Sequence, residues 1–425
     1  MVIKSFVKKI LGENLYKQLS VPYNKVVYRL IYPYRQSCLI KELRQKEVIN
    51  VVFFASVLSM WRYQRIYELL KEHPRFNPSI VIVPFMSYSK EQQKIDVAML
   101  KSYFDSLQIQ YYVGGETVFN IRTDLSPDVL FYPQPYIPLY PQQYDILSFK
   151  DRLLCYLPYD FRTSTGKWAY NLPFHNFAWK LFYSTEFHRK EAQLFAYNKG
   201  RNVVVVGYPN ADNYLLKDHK DVWKKQESNK KRIIWAPHYT IFSGGPLAQS
   251  NFLWMSDFML KLTEQYSEQI QFVFKPHPRL ITELYKHKDW GKDKAECYYK
   301  EWATRGNTQI ETGDFIDLFM TSDAMIHDSA SFSVEYHYTG NPVMYIADNF
   351  EQQVAEKGQL GQLTLRQHYV GKSKEDIISF IENVVIKGYD PMKDGRKEFY
   401  SRYLLPPNGK SVAENTMDVL LKEFC

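Results

Sequence analysis

Three short stretches of this 425-residue chain combine histidines, cations and small hydroxyl side chains in spacings suited to phosphate chemistry. The first is Phe274-Lys275-Pro276-His277-Pro278-Arg279. Its two prolines deny the chain a continued ladder or an immediate helix, so His277 is expected on a stiff turn with Lys275 and Arg279 beside it. An imidazole placed there can hydrogen-bond a phosphate oxygen or act as acid to a leaving phosphate. A surface histidine in a proline-rich turn is the plainer account; the flanking cations and the strand-end position favour function. The second stretch, Ser322 to Ser333, carries Asp328, Ser329 and Ser331 ahead of an expected helix. Small residues at a strand-to-helix turn leave backbone N–H groups free at the positive helix end, where phosphate binds. Ser and Asp are equally ordinary helix caps. Glu335, one turn on, is placed either to meet a ribose or acceptor hydroxyl or to sit in solvent. The third is Trp235-Ala236-Pro237-His238-Tyr239, with Ser243-Gly244-Gly245-Pro246 beyond it. His238 again follows a strand and a proline, and the glycine pair suits a close backbone approach to a ligand or a plain surface loop.

No Walker-type phosphate loop, no dinucleotide-binding glycine fingerprint, no HExxH and no GxSxG occurs, and no paired aspartates are spaced to hold a metal against a diphosphate. No metal site is expected, although a loosely bound magnesium ion stays compatible with the sequence. Charge neutralisation then falls to Lys275, Arg279, His238, His277 and the helix N-terminus.

These residues need strand ends to carry them. Val48–Ala55 reads as a buried strand, followed by a helix through Tyr63, Ile66, Leu69 and Leu70 and a strand at Ser79–Val83. A strand–helix–strand unit of this size implies a right-handed parallel crossover. Further strands are expected at Ile109–Val113, Val129–Phe131, Leu153–Leu157 and Val203–Val206. After a polar stretch, Lys217 to Lys231, a second series follows: Arg232–Ala236, Ile270–Phe274, Thr308–Glu311, Ala324–His327 and Val343–Ala347, with helices at Phe252–Tyr266, Asp314–Thr321 and Ser331–Tyr338. The reading is α/β, with two Rossmann-like doubly wound domains at 48–216 and 232–405, a linker at 217–231 and a C-terminal helix within 406–425.

The formal charge of +8 lies mostly in residues 1–47, which carry ten Lys or Arg against three Glu. The body is close to balanced, which argues against a nucleic-acid groove. Ile3, Phe6, Val7, Ile10 and Leu11 recur at helical spacing with Lys4, Lys8 and Lys9 opposite. Such a basic amphipathic segment either lies on an anionic membrane or packs on its own domain with a solvated lysine face. The four cysteines are far apart with no CxxC pair, which points to a reducing compartment. With no signal-peptide pattern and no apolar run long enough to span a bilayer, a cytoplasmic, peripheral location is expected.

As a set, FKPHP at Phe274–Pro278, SDAMIHDSASFSVEYHYTGNPVMYI at Ser322–Ile346 and PNGKSVAEN at Pro407–Asn415 resemble the CDP-glycerol glycerophosphotransferases of teichoic-acid and capsule synthesis. Ala236-Pro237-His238, PRFNP at Pro74–Pro78 and PDVLFYPQPY at Pro127–Tyr136 extend the resemblance to nearly everything after about residue 48. It implies a GT-B-like fold with a cleft between the two domains, and donor phosphates held by His277 and the Ser329–Ser331 turn. It implies attack by an acceptor hydroxyl, from a glycan or lipid-linked acceptor, on the phosphate next to glycerol, releasing CMP. Teichoic-acid polymerases carry a Trp-His-Gly motif whose His looks like the acceptor base. Here Cys155–Phe161 stands in its place without a histidine, leaving Asp160 or Tyr159 to take part. The family's usual Asp-Tyr-Ser-Ser is Asp328-Ser329-Ala330-Ser331. A nucleotide-sugar glycosyltransferase of the same architecture and a non-catalytic nucleotide-binding peripheral membrane protein are the other two readings.

Overall fold

A computed structural model describes residues 13–115, 119–242, 250–329 and 332–425. The apolar repeat at Ile3–Leu11, the Ser243–Pro246 loop and Ser331 lie outside the described residues. The chain forms two compact units. Unit 1 comprises Met1–Asp160, Thr165–Pro209 and Pro406–Cys425; unit 2 comprises Phe161–Ser164 and Asn210–Leu405.

Unit 1 is built on seven parallel strands: β1 (Ile49–Ala55), β2 (Phe76–Ile82), β3 (Tyr111–Val113), β4 (Val129–Tyr132), β5 (Leu153–Tyr156), β6 (Lys180–Tyr183) and β7 (Val203–Val205). Their order is β3-β2-β1-β4-β5-β6-β7, the doubly wound pattern with its reversal between β1 and β4. Both faces of β1 are covered, which is why its sequence is a nearly unbroken apolar run and not an alternating one. Two helices precede the sheet, α1 (Glu13–Val26) and α2 (Tyr32–Gln45). The second docks by Tyr32 on Phe177 at 5.5 Å, and the π-helical turn Val27–Ile31 between the two docks by Tyr28 on Tyr197 at 6.5 Å. The last helix, Val412–Phe424, returns to unit 1, where Phe424 meets Trp179 at 5.4 Å and Lys180 bonds Glu423 at 2.8 Å.

Unit 2 carries six parallel strands: β8 (Lys231–Ala236), β9 (Ile270–Phe274), β10 (Thr308–Ile310), β11 (Ala324–His327), β12 (Val343–Ile346) and β13 (Tyr369–Gly371). The order β10-β9-β8-β11-β12-β13 places the reversal between β8 and β11. One face of the sheet is sealed by Trp235, which stacks with Phe274 at 5.0 Å and Phe252 at 5.7 Å and lies tilted against Trp302 at 5.6 Å.

Three features differ from the sequence reading. Strands β6 and β13 were not expected. The helix expected over Ser331–Tyr338 is one α-turn, Phe332–Glu335, continued as a 3₁₀ turn to Thr339 and closed by Gly340 at φ +72°. The polar stretch 217–231 is no free linker. Trp223 is buried and its indole N–H donates to Thr321 Oγ1 at 3.1 Å, Arg232 pairs with Asp221 at 2.7 Å, and Gln271 donates to the Lys224 carbonyl at 2.7 Å. The stretch is docked on unit 2, which the chain enters for its main part at Pro209–Asn210 and leaves at Leu405–Pro406.

Candidate functional site

The sequence-singled residues of unit 2 gather outside the carboxyl ends of β8, β9 and β11, around the point where strand order reverses. Open parallel sheets leave a crevice there, because the connections on either side depart to opposite faces. The β8–β9 ladder runs past the strands: the Lys275 N–H donates to the Trp235 carbonyl at 2.8 Å and the His277 N–H to the Pro237 carbonyl at 3.1 Å. Pro276 and Pro278 occupy the alternate positions, whose missing N–H groups would point away from β8. The prolines therefore do not stop the ladder, contrary to the expectation above; they stiffen its last two residues.

Side-by-side strand extensions bring His238 and His277 together, ring centres 5.2 Å apart and planes at 70°. Tyr239 lies 4.4 Å from each ring, and the Arg279 guanidinium stacks on it at 4.2 Å. The Arg279 N–H donates to His277 Nδ1 at 3.1 Å, so the proton of the neutral ring sits on Nε2. Burial, then the neighbouring His238, Arg279 and Lys275, pushes the His277 imidazole down to about 3. Burial, then Arg279 and Lys357, pushes His238 down to about 4. Both rings are neutral N–H donors near pH 7, and an arriving anion would raise their affinity for a proton.

Lys275 does not stand beside His277 as a surface cation. Its side chain is 4% exposed and its ammonium donates to the Gly313 carbonyl at 2.8 Å, tying down the loop after β10. Burial lowers it to about 8 against the opposing pull of Glu311 and Asp314. Arg279 is exposed, with Glu283 at 3.4 Å.

At the β11 turn, Ser329 is nearly buried and its N–H donates to His327 Nδ1 at 3.1 Å. Asp328 is 2% exposed. Its Oδ1 accepts the His238 N–H at 2.6 Å, and its Oδ2 accepts the Asn251 N–H at 2.5 Å and the Asn251 side-chain amide at 3.4 Å. The carboxylate faces inward, onto backbone, and not out towards a phosphate. Glu335 is also buried and accepts the Tyr214 hydroxyl at 3.1 Å, which places it within the packing of unit 2 and not in solvent. Asp160 belongs to unit 1, half-buried in the segment that follows β5.

Sequence reasoning assigned no role to Tyr239, Asn251 or His327. Asn251 was detectable as the polar residue opening the Phe252–Gln265 helix. His327 was hidden at the end of an apolar strand. Among the described residues no group of three or more His, Cys, Asp or Glu side chains is arranged to hold a metal.

Comparison with known proteins adds the family. The model of CDP-glycerol:poly(glycerophosphate) glycerophosphotransferase matches residues 165–421, more than half of the chain. No curated protein sequence matches. Among solved structures, a histidine-to-asparagine variant of the wall teichoic acid polymerase TagF is similar over 96% of this chain and 97% of its own, with 14% identity and a TM-score of 0.54. A putative UDP-N-acetylglucosamine 2-epimerase from Listeria monocytogenes shares 12% identity over 89% of this chain and 96% of its own, TM-score 0.55. The UDP-GlcNAc 2-epimerase from Neisseria meningitidis, bound to UDP-GlcNAc, shares 12% over 88% and 99%, TM-score 0.53. At such identities these structures speak for the GT-B-like fold alone.

Proposed function

The chain belongs to the CDP-glycerol:poly(glycerophosphate) glycerophosphotransferase family, and from that premise we propose that His238, His277 and Arg279 of unit 2 receive the diphosphate of CDP-glycerol. The activity of the family is transfer of glycerol phosphate from CDP-glycerol to a polymer acceptor. The observation carrying the residue assignment is the pair of neutral imidazoles 5.2 Å apart at the strand-order reversal, with Arg279 stacked over Tyr239 next to them.

In this reading an acceptor hydroxyl attacks the phosphorus bonded to glycerol. A new P–O bond forms, the P–O bond to the bridging oxygen breaks, and CMP leaves with that electron pair. The hydroxyl proton passes to a base, for which Asp160, in the segment after β5, is the proposed group. Negative charge grows on the bridging and non-bridging oxygens, where a preorganised N–H donor acts most strongly. His277 Nε2–H supplies it without prior protonation, and Arg279 supplies permanent charge. The Ser329 hydroxyl is proposed as a further donor to the phosphates. Lys275 and Glu335, both buried, support the surrounding loops.

The acceptor is proposed to be lipid-linked, with the enzyme held at the inner face of the cell membrane. Support comes from α1 and α2, whose outward stripe of Tyr23, Val26, Leu30 and Tyr34 follows helical spacing and is flanked by exposed Lys25, Arg35 and Lys41. No helix among the described residues is long and apolar enough to cross a membrane.

His277→Ala tests the site. CMP release from CDP-glycerol should fall by about 100-fold or more, as for removal of one transition-state donor, with circular dichroism unchanged. Near-normal turnover in that variant would remove the assignment.

A further inference from the structure

We infer that Asp328 is a positioning residue for the donor: its carboxylate fixes the turn that presents His238, and it does not itself meet phosphate. The inference rests on the reading that His238 and His277 contact the diphosphate. Both carboxylate oxygens are turned onto N–H donors, Oδ1 onto His238 and Oδ2 onto Asn251, in a side chain 2% exposed. Asn251 passes the link on, its side-chain amide donating to the Ile346 carbonyl at 3.0 Å. One carboxylate therefore joins the ends of β8 and β11 and, through Asn251, β12, three adjacent strands at the order reversal. An asparagine in its place would turn an NH₂ group against one of the two N–H donors, so the site calls for two acceptor oxygens. A buried carboxylate aimed at phosphate would repel it; aimed at backbone, it orders a ring that receives the anion.

Burial pushes the Asp328 carboxyl up to about 6, with the Asn251 and His238 N–H groups opposing. Of the titratable side chains, Tyr345 from β12 couples to it; His238, whose N–H it accepts, and His327, the residue before it, are both held neutral by burial, and Arg279 and Lys357 act on His238. Protonation would place an O–H against one of the N–H donors and loosen the His238 turn.

The test follows the His238 and Asn251 backbone amides by NMR in the isotope-labelled full chain from about pH 8 to about pH 5, with calorimetric affinity for CDP-glycerol over the same range. A diphosphate diester does not itself ionise there. The two amides should shift together with a midpoint near pH 6, and affinity should fall about ten-fold over the same interval, the value of one charge-assisted hydrogen bond. Imidazole protonation would change affinity in the opposite direction. In Asp328→Asn the shared shift and the pH dependence should both disappear. Amides that do not titrate together overturn the inference, and the wild type alone suffices to see it. If the amides titrate while affinity stays flat, His277→Ala separates the causes. Weakened binding in that variant would sink only the role of Asp328, whereas unchanged binding would sink the donor site as well.

Discussion

At the scale of single residues, unit 2 holds five of its histidines uncharged: His238, His277, His327, His337 and His368. His327, His337 and His368 form a second imidazole group in unit 2, all three buried, with His368 ring centres 5.3 Å from His327 and 4.9 Å from His337. Burial lowers all three, His368 to about 3. A base whose folded pKa is depressed contributes stability that is complete above its unfolded value and lost as pH falls below it. Each such group then costs about 1.4 kcal/mol per pH unit below about 6.5. Asp328, with its raised pKa, works in the other direction below about 6 but is outweighed by these three together with His238 and His277. Thermal unfolding should therefore shift to lower temperature between pH 7 and pH 5, and less steeply in His368→Phe. An unfolding temperature that does not move over this interval would contradict the account.

The elements show what a sequence pattern can and cannot reveal. Long apolar runs such as Ile49–Ala55 and Ile270–Phe274 were readable because strands covered on both faces leave few polar positions, here Asn50 and Gln271 alone. The proline-marked ends of β8 and β9 pointed to His238 and His277 for a local reason. What stayed hidden was non-local. Lys180–Tyr183 is four residues opening with a lysine, and that lysine is satisfied by Glu423, 243 positions away. Lys275 looked like a phosphate ligand until Gly313, 38 positions on, took its ammonium. The stretch 217–231 read as a linker by its charge, although Trp223 within it signalled docking. Asp328 looked like a cap or a ligand because its two backbone partners are 77 and 90 residues distant. The closing PNGKS motif has a plain structural basis. Asn408 and Gly409 turn at positive φ, and Ser411 caps the last helix in a reciprocal box with Glu414. Upstream, Gly207 has φ +105°, and a Cβ there would lie 2.8 Å from Val412 Cγ2 and 3.0 Å from Pro406. Gly207→Ala should destabilise unit 1 by about 2–4 kcal/mol, backbone strain and overpacking together, read in urea unfolding. A change under about 0.5 kcal/mol would show that the C-terminal segment accommodates the methyl.

For the whole molecule, the proposed membrane contact is the property with the widest reach, since a lipid-linked acceptor is available only at a surface. Replacing Tyr23, Leu30 and Tyr34 together by Ser removes the apolar stripe and keeps Lys25 and Arg35. Sedimentation with anionic vesicles should drop about ten-fold or more, with CMP release on a soluble acceptor retained. Equal binding by both forms would assign that face to another partner.

The interrupted composition of unit 1 also sets an order of events during synthesis. Its sheet is made from residues that precede unit 2, but the helix that packs on Trp179 and Phe76 is translated only after Leu405. At roughly 5–20 residues per second, the ribosome needs about 10–40 s to cross unit 2. For that interval unit 2 can close around its own six strands as they emerge, while the earlier half of the chain waits with an apolar flank uncovered. A chain ending at Leu405 would then combine a finished unit 2 with an unsealed unit 1, the form on which chaperones and proteases act.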